Sequence, residues 1–138
     1  MHVSAIIAAG GRGARFGGSQ PKQLLTLCGV PILKRTVDVF LRGYPFLEVI
    51  VALPPELAAH PPDYLDDVVV VEGGPRRQDS VANAFREVAP SAQVVVIHDA
   101  ARPLVTAALI ERTVDAALMH GAAIAALQAT DTVKRGDA

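Results

Sequence analysis

A mainly parallel α/β architecture is what this 138-residue sequence predicts. Three observations carry that expectation: short, nearly uninterrupted apolar runs that suit strands buried on both faces, amphipathic stretches of helical period between them, and polar, glycine-bearing segments directly after the strands. Strand, crossover helix and strand in repeated order make right-handed units, and these stack into a three-layer α/β/α sandwich. A hydrophobic content of 51% is ample for one packed core, so residues 1–138 are expected to form one domain.

The opening run, Val3-Ser4-Ala5-Ile6-Ile7-Ala8-Ala9, predicts the first strand. Pro31 to Leu41 predicts a helix with proline at its first position and Ile32, Leu33, Val37, Phe40 and Leu41 on its apolar face. Leu47 to Leu53 reads as the second strand, and residues 54–67, with four prolines, read as a loop or short helix. Val68 to Glu72 gives the third strand. Ser80 to Val88 follows as a helix with Val81, Ala84, Phe85 and Val88 three and four apart, and Asp79 or Ser80 as its cap. Val94 to His98 predicts the fourth strand, Thr106 to His120 a helix stopped by Gly121, and Ala122 to Leu127 a fifth strand.

Composition excludes several classes of function. A net charge of −1 and a pI near 6.4 argue against a dedicated nucleic-acid binder, which would carry a basic face. The N-terminal apolar stretch has no basic region before it and is too short for a signal or membrane helix, so a cytoplasmic protein without membrane partners is expected. Cys28 is the single cysteine and has no neighbours at zinc-ligand spacing, which leaves it a core or loop thiol.

Chemistry concentrates in the segments after the strands. Residues 8–23 form a glycine-rich loop, with Gly10, Gly11 and Gly13 beside Arg12, Arg15 and Lys22. Glycine lets backbone N–H groups approach a ligand, and the cations supply fixed positive charge, so the loop suits a polyphosphate. It is neither a P-loop, since no lysine separates Gly18 from Ser19, nor a dinucleotide fingerprint, since Phe16 stands where a small residue is required. Gly73-Gly74-Pro75-Arg76-Arg77-Gln78-Asp79-Ser80 leads into a helix N-terminus, whose free N–H groups favour an anion or a polar base edge. For Asp79 and Ser80 taken alone, a plain helix cap is the preferred reading. After the fourth strand comes His98-Asp99-Ala100-Ala101-Arg102-Pro103, in which Asp99 and Arg102 are either a surface ion pair or site residues on a rigid scaffold.

Together these motifs resemble those of the 2-C-methyl-D-erythritol 4-phosphate cytidylyltransferase family and its ribitol-phosphate relatives. The matching residues are Ala8-Ala9-Gly10 with Gly13, Arg15 and Pro21-Lys22-Gln23; Gly73-Gly74 with Arg77 and Asp79-Ser80-Val81; His98 to Pro103; and Asp131-Thr132-Val133-Lys134. The resemblance implies a Rossmann-like nucleotide-diphospho-sugar transferase fold and Mg²⁺-dependent transfer of CMP from CTP to methylerythritol phosphate, with release of pyrophosphate, in isoprenoid biosynthesis. Transfer to another acceptor, such as ribitol 5-phosphate or a sugar phosphate, and CTP binding without transfer are the alternatives. By resemblance Arg15 and Lys22 are catalytic. Ala8, Ala9, Gly10, Gly11, Gly13, Gly74, Arg77 and Ser80 bind the nucleotide, while Asp99, Arg102 and Thr132 contact the acceptor and Asp99 is a candidate Mg²⁺ ligand. His98 is expected to be a strand-end residue rather than a proton carrier, and Pro75 replaces a polar residue common in relatives. Family members are homodimers and continue past Lys134 into a dimer-forming β-arm that carries a further arginine and lysine. The sequence is therefore expected to represent the CTP-binding portion of such an enzyme, with an exposed sheet edge.

Overall fold

The computed structural model describes residues 1–11 and 24–128, so Gly13, Arg15, Lys22 and Thr132 lie outside the described residues. In chain order the elements are β1 (Val3–Ala8), β2 (Thr26–Leu27), β3 (Val30–Pro31), α1 (Ile32–Gly43), β4 (Glu48–Leu53) and α2 (Pro55–Ala59). A 3₁₀ turn (Asp63–Leu65), β5 (Val69–Glu72), α3 (Arg77–Arg86), β6 (Val94–Asp99) and α4 (Ala107–His120) follow.

β1, β4, β5 and β6 pair in parallel in the order β5-β4-β1-β6. The central strands β1 and β4 are mostly apolar because both of their faces are covered. Val3, Ala5 and Ile7 of β1 pack with Leu33, Val37 and Phe40 of α1 and with Ile110 and Val114 of α4. The intervening Ile6 joins Ile50 and Ala52 of β4 against Ala84 of α3. The period-two alternation of a strand thus divides one continuous run between two helix layers. Ser4, wholly buried on the α3 side, donates to Glu48 Oε1 at 2.7 Å, and the same oxygen accepts the Ala89 N–H at 2.8 Å. This carboxylate ties the start of β1 to the exit of α3, at the end of the sheet away from the glycine loops.

The two halves of the sheet are built outward from β1. The chain runs from β1 to β4 and β5 on one side, then crosses back through α3 to place β6 on the other. The carboxyl ends of β1 and β6 therefore flank the point where strand order reverses, the usual ligand site of an open α/β sheet. Register places Ala8 opposite Asp99 there.

Several expectations need adjustment. Residues 122–128 run as irregular backbone with Ile124 and Leu127 exposed, so the fifth strand expected over Ala122 to Leu127 is absent. Four of those six residues are alanine, a poor strand former, and an apolar run becomes a strand only by pairing. The outer edge of β6 consequently carries no strand among the described residues. α3 begins at Arg77, three residues before the expected Ser80, and Pro31 is the residue before α1 rather than its first. The short antiparallel pair β2–β3 was not expected. Cys28 and Gly29 form its two-residue turn with φ of 51° and 74°, the left-handed pair that a tight hairpin requires. Cys28 is accordingly an exposed loop thiol, and the Arg35 guanidinium on α1 donates to the Leu27 carbonyl to hold the hairpin down.

Candidate active site

The exits of β1 and β5 meet through glycine. Past Ala8 the chain stays extended for one residue, with Ala9 N–H donating to Ala52 O at 2.9 Å, and then reaches Gly10 and Gly11. Beside it Gly73 N–H donates to Leu53 O at 2.7 Å and continues β5 in the same way. A side chain on Gly10 would collide with Ser80 Oγ, one on Gly73 would come within 3.0 Å of Gly10 Cα, and one on Gly74 would collide with Asp79 Cβ. Only bare backbone lets the two loops and the start of α3 pack this closely.

Ser80 is 1% exposed and fills that contact. Its Oγ accepts the Gly74 N–H at 3.1 Å, which fixes the path of the second loop. The first turn of α3 is capped by the chain itself. Asp79 accepts the Arg76 N–H at 3.2 Å and two further bonds, at 2.9 and 2.8 Å, from the Arg76 guanidinium. These hydrogen bonds from Arg76 hold the Asp79 carboxyl below its usual range. Of the two roles the sequence allowed Asp79, capping is the one it performs, through the Arg76 N–H just before the helix.

On the opposite wall stands the turn after β6. Asp99 holds an arginine on each oxygen, Arg77 Nε on Oδ1 at 2.6 Å and Arg102 Nη2 on Oδ2 at 3.1 Å. The two guanidinium side chains are 58% and 75% exposed, so these pairs contribute little to stability. What they do is fix two cations and one carboxylate at the cleft, a net positive rim suited to phosphate. His98 lies outside this cluster. Its ring sits 5.1 Å from that of Phe40, and Nε2 is 3.0 Å from the Arg102 carbonyl oxygen, which agrees with a strand-end role.

Ala8, Ala9, Gly10, Gly11, Gly74, Arg77, Ser80, Asp99 and Arg102, the expected site residues that lie in the described part, all line one cleft of about 500 Å³. Pro75, Arg76, Ala100 and Ala101 complete its lining. A larger groove of about 660 Å³ runs on from Arg77, Asp99 and Arg102 along β6 and α4, but its walls are mostly valine, leucine, isoleucine and alanine. The polar chemistry is in the glycine-walled cleft. Sequence reasoning passed over Arg76, whose signal was its place three residues before Asp79, and Thr36, a polar residue on the otherwise apolar face of α1.

As a metal site the cleft has one carboxylate, Asp99, and the described residues contain no cluster of three His, Cys, Asp or Glu side chains. This donor set does not fit a cation held by the protein alone. It fits one that arrives on a polyphosphate, keeps phosphate and water oxygens, and takes at most one protein ligand.

The family model described as 2-C-methyl-D-erythritol 4-phosphate cytidylyltransferase matches residues 3–138. The enzyme of that name from Frankia casuarinae is 44% identical over 99% of this chain, which covers 52% of that protein. The crystal structure of the Thermus thermophilus enzyme superposes with a TM-score of 0.78 at 38% identity, covering 98% of this chain and 59% of the other. Rv0371c from Mycobacterium tuberculosis, solved in complex with manganese, superposes with a TM-score of 0.66 at 27% identity over 83% of this chain and 59% of its own. The chain thus spans about half the length of the curated enzyme it matches. Model match, identity and shared fold agree: the chain belongs to the 2-C-methyl-D-erythritol 4-phosphate cytidylyltransferase family.

Proposed function

We propose that the cleft binds CTP and supports transfer of CMP to 2-C-methyl-D-erythritol 4-phosphate. The observation that supports it most is the meeting, at the sheet's switch point, of a glycine-walled cleft with an Arg77–Asp99–Arg102 cluster that bridges from the start of α3 to the turn after β6. In this reading an acceptor phosphate oxygen forms a bond to the α-phosphorus of CTP while the bond to the β-phosphate breaks, and pyrophosphate leaves. The nucleophile is already anionic, so no side chain need take a proton, and catalysis rests on positioning and charge neutralisation.

The backbone of Ala8 to Gly11 lies against the triphosphate, and Gly13 is assigned to nucleotide binding with it. Gly74 offers its loop to the cytosine edge, with Ser80 beneath it as the group that fixes that loop, and Arg77 stands next to the nucleotide. Arg15 and Lys22 supply charge to the transition state at the α-phosphorus, while Asp99, Arg102 and Thr132 receive the acceptor. A divalent cation, Mg²⁺ in this reading, would neutralise the phosphates, and Asp99 is the residue placed to touch it. A cytoplasmic homodimer is the setting that goes with this activity.

Pyrophosphate release tests the reading. With CTP, Mg²⁺ and methylerythritol phosphate the expected outcome is release that drops by at least about 100-fold in Lys22→Ala or Arg15→Ala, with far less change in CTP affinity. Equal losses of affinity and turnover would overturn the transition-state role. Release only with ribitol 5-phosphate or a sugar phosphate would reassign the acceptor, and CTP binding without release would leave a nucleotide-binding unit.

A further inference from the structure

We infer that α1 positions the acceptor-side turn of the cleft, with Thr36 and Phe40 as positioning residues that never touch the ligand. Thr36 is wholly buried, on the same helix face as Leu33, Val37 and Phe40. Its hydroxyl donates to the Ala100 carbonyl at 2.8 Å, across 64 residues of sequence. A second oxygen, Ile32 O, lies farther away at 3.2 Å and already belongs to the helical ladder, so the single hydroxyl proton serves Ala100.

Ala100 is therefore bound on both sides. Its N–H donates to Ala8 O at 3.0 Å, and its carbonyl is held by Thr36. One helical turn beyond Thr36, the buried Phe40 ring supports His98, whose Nε2 meets the Arg102 carbonyl at 3.0 Å, while Arg102 N–H closes the turn on Asp99 O. A helix between β1 and β4 thus fixes the backbone that carries Asp99 and Arg102, and fixes it relative to Ala8 on the nucleotide side. A buried hydroxyl is costly unless it is bonded, so Thr36 is on this apolar face for the bond and not for its bulk. Small displacements of positioned charges cost far more in rate than in stability.

The functional arm of this inference rests on the nucleotidyl-transfer reading, and the structural arm does not. Hydrogen exchange followed in the whole chain is expected to quicken about tenfold at the Ala100 and Arg102 amides in Thr36→Val, which keeps the shape but orphans the Ala100 carbonyl. Thr36→Ser should restore wild-type exchange, Phe40→Leu should quicken Arg102 more than Ala100, and residues 48–53 should not change in any variant. Exchange unchanged in Thr36→Val, or raised equally in residues 48–53, would overturn the inference. In turnover, kcat/KM for the acceptor should fall about tenfold or more in Thr36→Val with KM for CTP within about twofold, and recover in Thr36→Ser. A loss shared equally by CTP would contradict acceptor-side positioning. A wild-type chain with no turnover would count against the transfer reading, and exchange would still decide whether α1 holds the turn.

Discussion

Gly10 and Ser80 are 70 positions apart in sequence and in contact in the fold, and the contact leaves no room for a side chain on Gly10. A methyl group on Gly10 has nowhere to go except into the Ser80 hydroxyl, whose own position is set by the Gly74 N–H. Gly10→Ala is therefore expected to destabilise the protein by about 1–3 kcal/mol, the usual cost of overpacking a rigid contact. Ser80→Gly in the same chain should recover part of that loss, because it removes the atom that is struck. Urea unfolding of the two single variants and the double variant measures the coupling, and strictly additive losses would show that the two residues do not meet. The sequence pointed to Gly10, Gly74 and Ser80 as ligand-binding residues. That the three also support one another was not legible, because it depends on two strand exits that only the folded sheet brings together. Arg77, Asp99 and Arg102 were likewise marked as site residues, but not that Arg77 shares the Asp99 carboxylate with Arg102, since nothing local says that the start of α3 reaches the turn after β6.

At the scale of elements, the strands and helices with two-sided or one-sided apolar patterns were readable. β1, β4, β5 and β6 lie within one residue of their expected bounds because each carries a nearly continuous apolar run, although only the central β1 and β4 are buried on both faces and the outer β5 and β6 leave Val69 and Ile97 exposed. α4 was readable at both ends, where Thr106 accepts the Leu109 N–H and Gly121 takes a left-handed φ of 84°. The stretch from Ala122 to Leu127 shows the limit of that signal, since an apolar run states only that a partner is wanted. The start of α3 was misplaced because its cap is not the residue at the boundary but Asp79, inside the first turn, reaching back to Arg76.

That cap has a consequence in pH. The Arg76 hydrogen bonds depress the folded-state pKa of Asp79 below its ordinary 3.8, so the contribution to stability is present above pH 3.8 and is lost as pH falls through the folded value. In Arg76→Ala the Asp79 titration followed by NMR should move upward towards 3.8, and the acid loss of α3 protection should begin at higher pH. A titration unmoved by the substitution would mean that Arg76 is not the cause.

For the whole molecule, the site is a product of topology. No single motif specifies it: the loop after β1 fits neither of the common phosphate-binding patterns, and Asp99 with Arg102, though better explained as site residues after so apolar a strand, also has a reading as a surface ion pair. The order β5-β4-β1-β6 makes them a site by setting the exits of β1 and β6 side by side, with Ala8 opposite Asp99, and by returning the chain through α3 so that Arg77 reaches Asp99. α1 and α3, in opposite layers, then hold the two sides of one cleft, through the Thr36 bond to Ala100 and the Ser80 bond to Gly74.

Isothermal titration of the chain with CTP in Mg²⁺, with ATP, GTP and UTP as comparisons, decides whether this cleft takes CTP. Saturable binding of one CTP per chain is expected, preferred over the other nucleotides and weakened in Gly10→Ala. A folded chain that takes up no CTP, or binds all four nucleotides alike and unaffected by Gly10→Ala, would contradict it.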